Sequence, residues 1–265
     1  MAQRVHPISF RLGFNYFWNS LWYTNKHYSA LFFEDQLLKH YLKNLFENRG
    51  FFLKRVLIKR SARRTLIFLE VYGNPYFKYA IPRDFRQFQK FKRVLHLTNI
   101  KKLLNRISGG PVFLSVQNLF IMNRIHRNFL RRLRGQFFRY KNYKFTLTIL
   151  GIFNIVIRTK GAAFLAKAVC RELEFIERRK KNKIVWRFVS FIGKLVSCIQ
   201  NYNKTVHGLR VQLKGRFRGI SRPKTVRFRE GCVPFNTIRA FIDFAYAPAL
   251  TVNGTFGIKV WVCYI

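Results

Sequence analysis

Apolar residues along this chain change their spacing from segment to segment, and the spacing predicts the elements. Residues 5–28 are aromatic and irregular, punctuated by Pro7 and Gly13. Leu38, Tyr41, Leu42 and Leu45 then recur at helical intervals. Glu34 and Asp35 stand near the expected helix start, where the dipole favours anions, and Gly50 marks the expected end. Val56, Leu57 and Ile58, followed by an alternating run over 65–72, predict two strands joined by a basic turn at 60–64. The spacing further on suggests helices near 86–106 and 123–139 and a strand at 112–119. The run 145–157, broken by Thr146, Thr148, Gly151 and Asn154, is rich in β-branched residues and reads as a buried strand pair.

From Ala162 onward the pattern is cleaner. Leu165, Val169, Leu173 and Ile176 mark one helix; Ile184, Phe188, Phe191, Ile192, Leu195, Val196 and Ile199 mark a second. Three strands are expected to follow. In the first, Leu209, Val211 and Leu213 face one way while Arg210, Gln212, Lys214 and Arg216 form a basic ribbon on the other side. The second alternates Ile238, Ala240, Ile242 and Phe244 against Thr237, Arg239, Phe241 and Asp243. The last sets Phe256, Ile258, Val260 and Val262 on one face. Helices followed by a sheet predict an α+β protein. The expected division is an N-terminal aromatic and basic extension over 1–28, a domain with a basic insertion over 29–150, and a two-helix and β-sheet domain over 151–265.

Charge turns this outline toward a partner. The chain has 51 Lys plus Arg against 10 Asp plus Glu, a formal charge of +41, so a polyanion must neutralise it in the working state. No acidic residue occurs from Phe85 to Arg171, so that stretch cannot balance its charge locally. A basic surface can also serve anionic membranes. Yet 49% of the chain is apolar, with 30 Phe and 12 Tyr, enough to bury substantial cores, and no stretch has the uninterrupted apolar length of a membrane span. Nucleic acid is the expected partner.

Catalysis has little material here. The few carboxylates are scattered, Glu174 is spaced to pair with Arg178 along a helix, and Asp243 is expected to pair with Arg216 or Arg239. The six His show no metal spacing, and Cys170, Cys198, Cys232 and Cys263 form no Cys-x-x-Cys pair, so reduced, buried thiols and no metal or other cofactor are expected. The Gly215-Arg216-Phe217-Arg218-Gly219 turn lets the backbone approach a partner while arginines fork onto phosphates. Phe137, Phe138, Tyr140 and Tyr143 could stack on unpaired bases, although most such rings serve a core.

Two motif blocks at opposite ends carry a resemblance. Near the start stand Val5-His6-Pro7, Phe10-Arg11-Leu12-Gly13 and Trp18-Asn19-Ser20-x-Trp22-Tyr23. Near the end stand Gly208 to Phe217, Arg229-Glu230-Gly231-Cys232-Val233-Pro234, Thr237-x-Arg239-Ala240-x-Ile242-Asp243 and Gly257-Ile258-Lys259-Val260-Trp261. In this order they resemble the small-subunit ribosomal protein S3 family, clearly over about 4–25 and 208–262, more weakly through 35–72 and 162–200, and poorly over about 74–160.

The resemblance implies an N-terminal type II KH domain, a C-terminal α+β domain, and a non-catalytic place in the head of the small ribosomal subunit. The implied partners are small-subunit rRNA, mRNA at the entrance channel and neighbouring head proteins. It implies that Arg11, Trp18, Trp22, Arg216, Arg229 and Arg239 contact RNA or scaffold the motif. Further RNA contacts are expected from Arg131, Arg132 and Arg134 in the acid-free stretch and from Arg178, Arg179, Lys180, Lys181 and Lys183 between the two helices. Arg210 and Lys214 in the first strand, and Arg218, Arg222, Lys224 and Arg227 after it, complete the set.

Two departures from the family pattern stand out. A KH domain grips a nucleic-acid backbone with a Gly-x-x-Gly loop, but here the second strand runs into Gly73-Asn74-Pro75-Tyr76-Phe77, and the nearest glycine pair is Gly109-Gly110. The KH unit is therefore expected to be degenerate, which argues against a free-standing KH-type RNA-binding protein. The family's basic helix, Phe-Arg-Arg-Ala-Met-Lys-Arg-Ala-Val, corresponds to Phe188-Val189-Ser190-Phe191-Ile192-Gly193-Lys194-Leu195-Val196, which has lost most of its cations. Residues 178–183 are expected to replace them in part. The divergence, the absence of an Arg-rich leader and a Phe-, Asn-, Ile- and Lys-rich composition typical of AT-rich codons together suggest a mitochondrial matrix protein, the composition pointing to synthesis inside the organelle.

Overall fold

The computed structural model describes residues 5–48, 51–61, 63–73, 97–118, 135, 137–140, 143, 145–146, 149–150, 153, 161–178, 182–198, 206–217 and 222–265. The chain divides into two compact units, one of Trp18–Arg124 and one of Met1–Phe17 with Ile125–Ile265. These boundaries differ from the expected ones at 28 and 150: the first residues belong with the C-terminal unit, for a reason given below.

The described residues of the unit of 18–124 form a sheet backed by two helices. β1 (Ser20–Leu21) runs parallel to β2 (Phe51–Ser61); β2 pairs antiparallel with β3 (Arg64–Gly73); β3 pairs parallel with β4 (Val112–Asn118). α2 (Tyr28–Asn48) and α3 (Leu97–Ser108) supply Leu38, Leu42, Phe46, Ile100 and Leu104 to its core. On β2 the buried positions are Leu53, Val56 and Ile58, a spacing that breaks strict alternation. A bulge between Leu53 and Arg55 inserts one residue and returns Val56 and Ile58 to the core face, opposite Leu69 and Ile67.

α2 begins at Tyr28, nearly two turns before Glu34 and Asp35, and its first turn holds no acid. The expected dipole role of these two residues is thus corrected. Asp35 is 1% exposed on the core side. Its Oδ1 accepts from Arg60 Nη2 at 2.6 Å and its Oδ2 from Trp22 Nε1 at 2.7 Å, while Glu34 Oε2 accepts from Arg60 Nη1 at 2.8 Å. A buried carboxylate is tolerable only when paired and hydrogen-bonded in this way.

The other unit is an antiparallel sheet in the order β6-β5-β8-β7, formed by β5 (Val206–Gly215), β6 (Lys224–Gly231), β7 (Phe241–Thr251) and β8 (Gly254–Tyr264). α4 (Ala162–Arg178) packs on β7 and β8, and α5 (Asn182–Ser197) on β6 and β5. Ala245, Ala247 and Ala249 line the buried face of β7, small enough to seat α4 closely. Gly193 does the same for α5, since a Cβ there would stand 2.7 Å from the Phe228 ring.

Three expectations are corrected here. β6 is a fourth strand where three were expected; its alternation of Thr225, Arg227 and Arg229 with Val226 and Phe228 was the available signal. Residues 237–240 form a turn, and β7 starts only at Phe241. Finally, Phe145, Thr146, Ile149, Leu150 and Phe153 are helical and buried, not a strand pair. Their spacing of three and four places one stripe against the core, and that burial outweighs β-branched propensity. The expected helix near 123–139 lies almost entirely outside the described residues, as does the part of the 86–106 helix before Leu97.

Candidate nucleic-acid interface

Strand register decides which side chains share the face of the C-terminal sheet turned away from α4 and α5. Arg229 lies opposite Arg210, Arg210 opposite Trp261, and Trp261 opposite Phe244. The next row reads Arg227, Gln212, Lys259 and Tyr246, and the next Thr225, Lys214, Gly257 and Pro248. Arg210, Lys214, Arg227, Arg229 and Lys259 therefore share one face, all exposed except Arg210, which is half-buried.

The carboxylates of this unit lie elsewhere. Glu230 is opposite Leu209, on the helix side. Asp243 Oδ2 accepts from the Ala162 backbone N–H at 2.7 Å, the first residue of α4, so it caps that helix. Glu174 accepts from the Leu250 N–H at 3.0 Å, and Glu177 from Asn253 Nδ2 at 3.3 Å, tying α4 to the β7–β8 hairpin. Glu172 is buried on the same helix, and burial raises its carboxyl to about 7. The sheet's outer face is consequently cationic with no acid to offset it, which suits it to phosphate.

The upper end of that face is sealed by the chain's own beginning. α1 (Pro7–Phe10) is a single turn capped by His6, whose Nδ1 accepts from the Ser9 N–H. Gly13, at φ 84°, turns the chain back. Arg11 is fully buried: Nη1 donates to Pro7 O at 2.9 Å, and Nη2 donates to Pro234, Phe235 and Thr237 O at 3.1, 3.0 and 2.7 Å. Asn15 Nδ2 donates to the carbonyls of Ile238, Arg239 and Ala240. The turn before β7 thus has its backbone acceptors satisfied by two side chains from the other end of the chain. Desolvation lowers the Arg11 pKa, and of its two expected roles, RNA contact or scaffold, its burial and carbonyl partners support the scaffold.

The remaining expected contacts divide by position. Arg216, Arg222, Arg227, Arg229, Arg239 and Lys214 are exposed. Arg210 lies over Trp261 at 5.2 Å and over Phe235 at 5.8 Å, so part of its role is packing. Lys224 lies opposite Gly215 and reaches over Trp186 of α5 at 5.9 Å, on the helix side. Trp18 is exposed, whereas Trp22 is tied to Asp35 and is structural. Arg131, Arg132, Arg134, Arg179, Lys180, Lys181 and Arg218, and the side chains of Arg178 and Lys183, lie outside the described residues. Lys259 and Tyr246 were missed from the sequence; the alternation that buried Ile258 and Val260 already placed Lys259 opposite them.

Among the described residues no cluster of His, Cys, Asp and Glu is arranged to hold a metal. The four cysteines are free thiols, but only Cys170 and Cys263 are buried; Cys232 is exposed and Cys198 intermediate, which corrects the uniform burial expected. The Cys170 thiol donates to Pro248 O and is pushed up to about 12 by burial and by Glu174, so it is unreactive. No helix among the described residues is long and apolar enough to cross a membrane.

This fold and face define an α+β protein with one strongly cationic sheet surface, suited to a polyanion. Comparison with known sequences shows what the chain is similar to. A profile described as "Ribosomal protein S3, C-terminal domain" matches residues 187–262. The small ribosomal subunit protein uS3 of Desulfovibrio desulfuricans is 27% identical over 99% of this chain and 94% of its own length. That of Salinibacter ruber is 28% identical over 99% and 85%, and the uS3c protein of Euglena longa 29% identical over 99% of each. The chain is thus similar to the ribosomal protein S3 family along nearly its whole length, and its C-terminal part matches that family's profile.

Proposed function

We propose that the chain is a structural constituent of the small ribosomal subunit, lodged in its head and held there by rRNA. The observation that carries this reading is the segregation of charge across the C-terminal sheet, with five cations on the outer face and the carboxylates on the helix side. Its role is structural rather than catalytic: the cations neutralise phosphates, and the cores hold them in register.

The finer parts of the proposal rest on separate supports. The unit of 18–124 is a degenerate KH-like domain, supported by its α2-β2-β3-α3-β4 order and its mixed sheet. The segment after β3, where a Gly-x-x-Gly loop would sit, lies outside the described residues. The surface near α5 borders the mRNA entrance channel. Only Arg187 and Lys194 remain as exposed cations among the described side chains of that helix, with residues 178–183 supplying the rest. Cross-linking of staged mRNA tests this: adducts confined to other segments would sink it. Neighbouring head proteins are further partners. The ribosome concerned is mitochondrial, supported by the composition and by identities of only 26–29% to the relatives compared.

Sucrose-gradient fractionation of organelle lysate at low and high salt tests the main reading. Co-migration with small-subunit rRNA through moderately high salt is expected, because many phosphate contacts and packed surfaces act together. Migration as a light species at both salts would mean a free RNA-binding protein instead.

A further inference from the structure

Outside the sheet's cationic face, an open cavity of about 460 Å³ is lined, among the described residues, by Arg139, Tyr140, Tyr143 and Arg187. It lies against α5, on the opposite side of the sheet from the face described above. Its walls are held by an aromatic base. Phe137 is buried edge-on to Phe191 with centroids 5.1 Å apart, and Tyr140 meets the same ring at 5.3 Å. Tyr143 stacks on Phe145 at 5.1 Å, and Phe145 meets Phe188 at 5.1 Å. The Tyr140 hydroxyl lies 3.2 Å from Ser190 Oγ, and Arg187 donates to the Tyr143 hydroxyl. Both tyrosines remain half-exposed, and both arginines are exposed.

The charge here is as one-sided as on the sheet. Neither α5 nor the acid-free stretch from Phe85 to Arg171 contains a carboxylate, so both arginines come from segments with no acid of their own. Two planar guanidiniums beside two positioned phenol rings make a site for an anion that carries an aromatic ring. The volume falls within the roughly 300–1,000 Å³ usual for small-molecule sites, more room than a single carboxylate side chain needs.

We propose that this cavity takes one unstacked nucleotide of single-stranded RNA. Its phosphate lies between Arg139 and Arg187, and its base rests against the exposed side of Tyr140 or Tyr143. The proposal rests on the RNA-bound, ribosomal reading above and adds a site to it, formed by Arg139, Tyr140, Tyr143 and Arg187, the first three in a stretch whose motifs match the family pattern poorly. The nucleotide can come from rRNA or from mRNA; the chemistry is shared, and the test separates the sources.

Small subunits carrying the full chain are irradiated with ultraviolet light, with and without bound mRNA, and nucleotide adducts are mapped by mass spectrometry. An adduct on Tyr140 or Tyr143 in both conditions supports the site with rRNA as the source; one that requires mRNA supports it with mRNA as the source. Arg187→Gln is expected to lower the adduct yield about tenfold, the loss of one forked phosphate contact, while the protein still sediments with the subunit. Tyr143→Phe, which keeps the ring and the fold, is expected to keep most of the yield. The proposal is overturned if the chain sediments with the subunit but residues 139–143 give no adduct in either condition. It is equally overturned if that segment cross-links to a protein instead. Failure to sediment with the subunit at all would strike the ribosomal reading itself, a separable result.

Discussion

The two four-stranded sheets among the described residues treat their outer faces in opposite ways. In the unit of 18–124, Arg55 and Lys59 share that face with Leu57, Leu66, Phe68, Phe113 and Glu70, and Glu70 is paired with Lys54 at 2.8 Å. In the C-terminal sheet, Arg210, Lys214, Arg227, Arg229 and Lys259 share a face with Tyr246 and Phe244, and the acids are engaged on the helix side. A similar layer architecture thus yields a mixed surface in one case and a phosphate-seeking one in the other. The difference lies in where a handful of carboxylates point, a property of the site rather than of the fold.

One buried and one half-buried arginine extend the comparison. Arg60 is neutralised by Asp35 and Glu34, whereas Arg11 is held by carbonyl oxygens alone among its hydrogen-bond acceptors. The first is an ion pair that anchors a helix to a strand. The second is a donor array that completes a turn and ties the first residues of the chain to the last quarter.

The largest effect is expected from the triple change Lys214→Gln, Arg227→Gln and Lys259→Gln. Affinity for small-subunit rRNA should fall by roughly 100- to 1,000-fold, and the slope of log affinity against log salt should become shallower by about 3. Filter binding from 50 to 200 mM salt checks it. The matched change Arg55→Gln with Lys59→Gln in the other sheet should alter that slope by less than about 1. Equal slopes for the two variants would erase the contrast between the sheets.

Asp35→Ala comes next. It leaves Arg60 buried with half its partners and frees the Trp22 indole, at a cost of about 3–5 kcal/mol of stability. Urea denaturation of the full chain, followed by tryptophan fluorescence, should show it. Arg11→Met should cost about 2–4 kcal/mol by orphaning the carbonyls of Pro234, Phe235 and Thr237, with the rRNA salt slope of the folded protein unchanged. A shallower slope at unaltered stability would return Arg11 to the RNA contacts.

The smallest effect concerns Glu172, whose carboxyl is raised to about 7 by burial. The folded state holds this proton more tightly than the unfolded chain, so the associated stability is complete below about pH 4.5 and is lost as pH rises to about 7. Glu172→Gln should therefore gain up to about 2 kcal/mol over the parent at pH 8, and the gain should vanish near pH 4. A pH-independent difference would mean that Glu172 is ionised in the folded protein.

Much of this was legible in the chain, and the exceptions have identifiable causes. The helices α4 and α5 and the hairpin of β2 and β3 follow from periodicity because each buries one regular stripe. The helical residues at 145–153 were misread because β-branched content was weighed above the 145, 149, 153 spacing. β6 was missed because its cations hid a short alternation. At the site, the ribbon of Arg210 and Lys214 was visible from one strand alone, but its extension to Arg227, Arg229 and Lys259 as one face needs the pairing of three strands.

By itself the sequence determined the α+β class, the need for a polyanion and the membership suggested by its two motif blocks, since charge, periodicity and motif order are carried residue by residue. Only the tertiary structure decided that these blocks meet, that Arg11 and Trp22 are scaffold, and that the acids turn inward. Burial and hydrogen-bond partners depend on atoms brought together from positions more than two hundred residues apart, as Arg11 and Thr237 are. No local pattern encodes which carbonyls a guanidinium will find once the chain has folded.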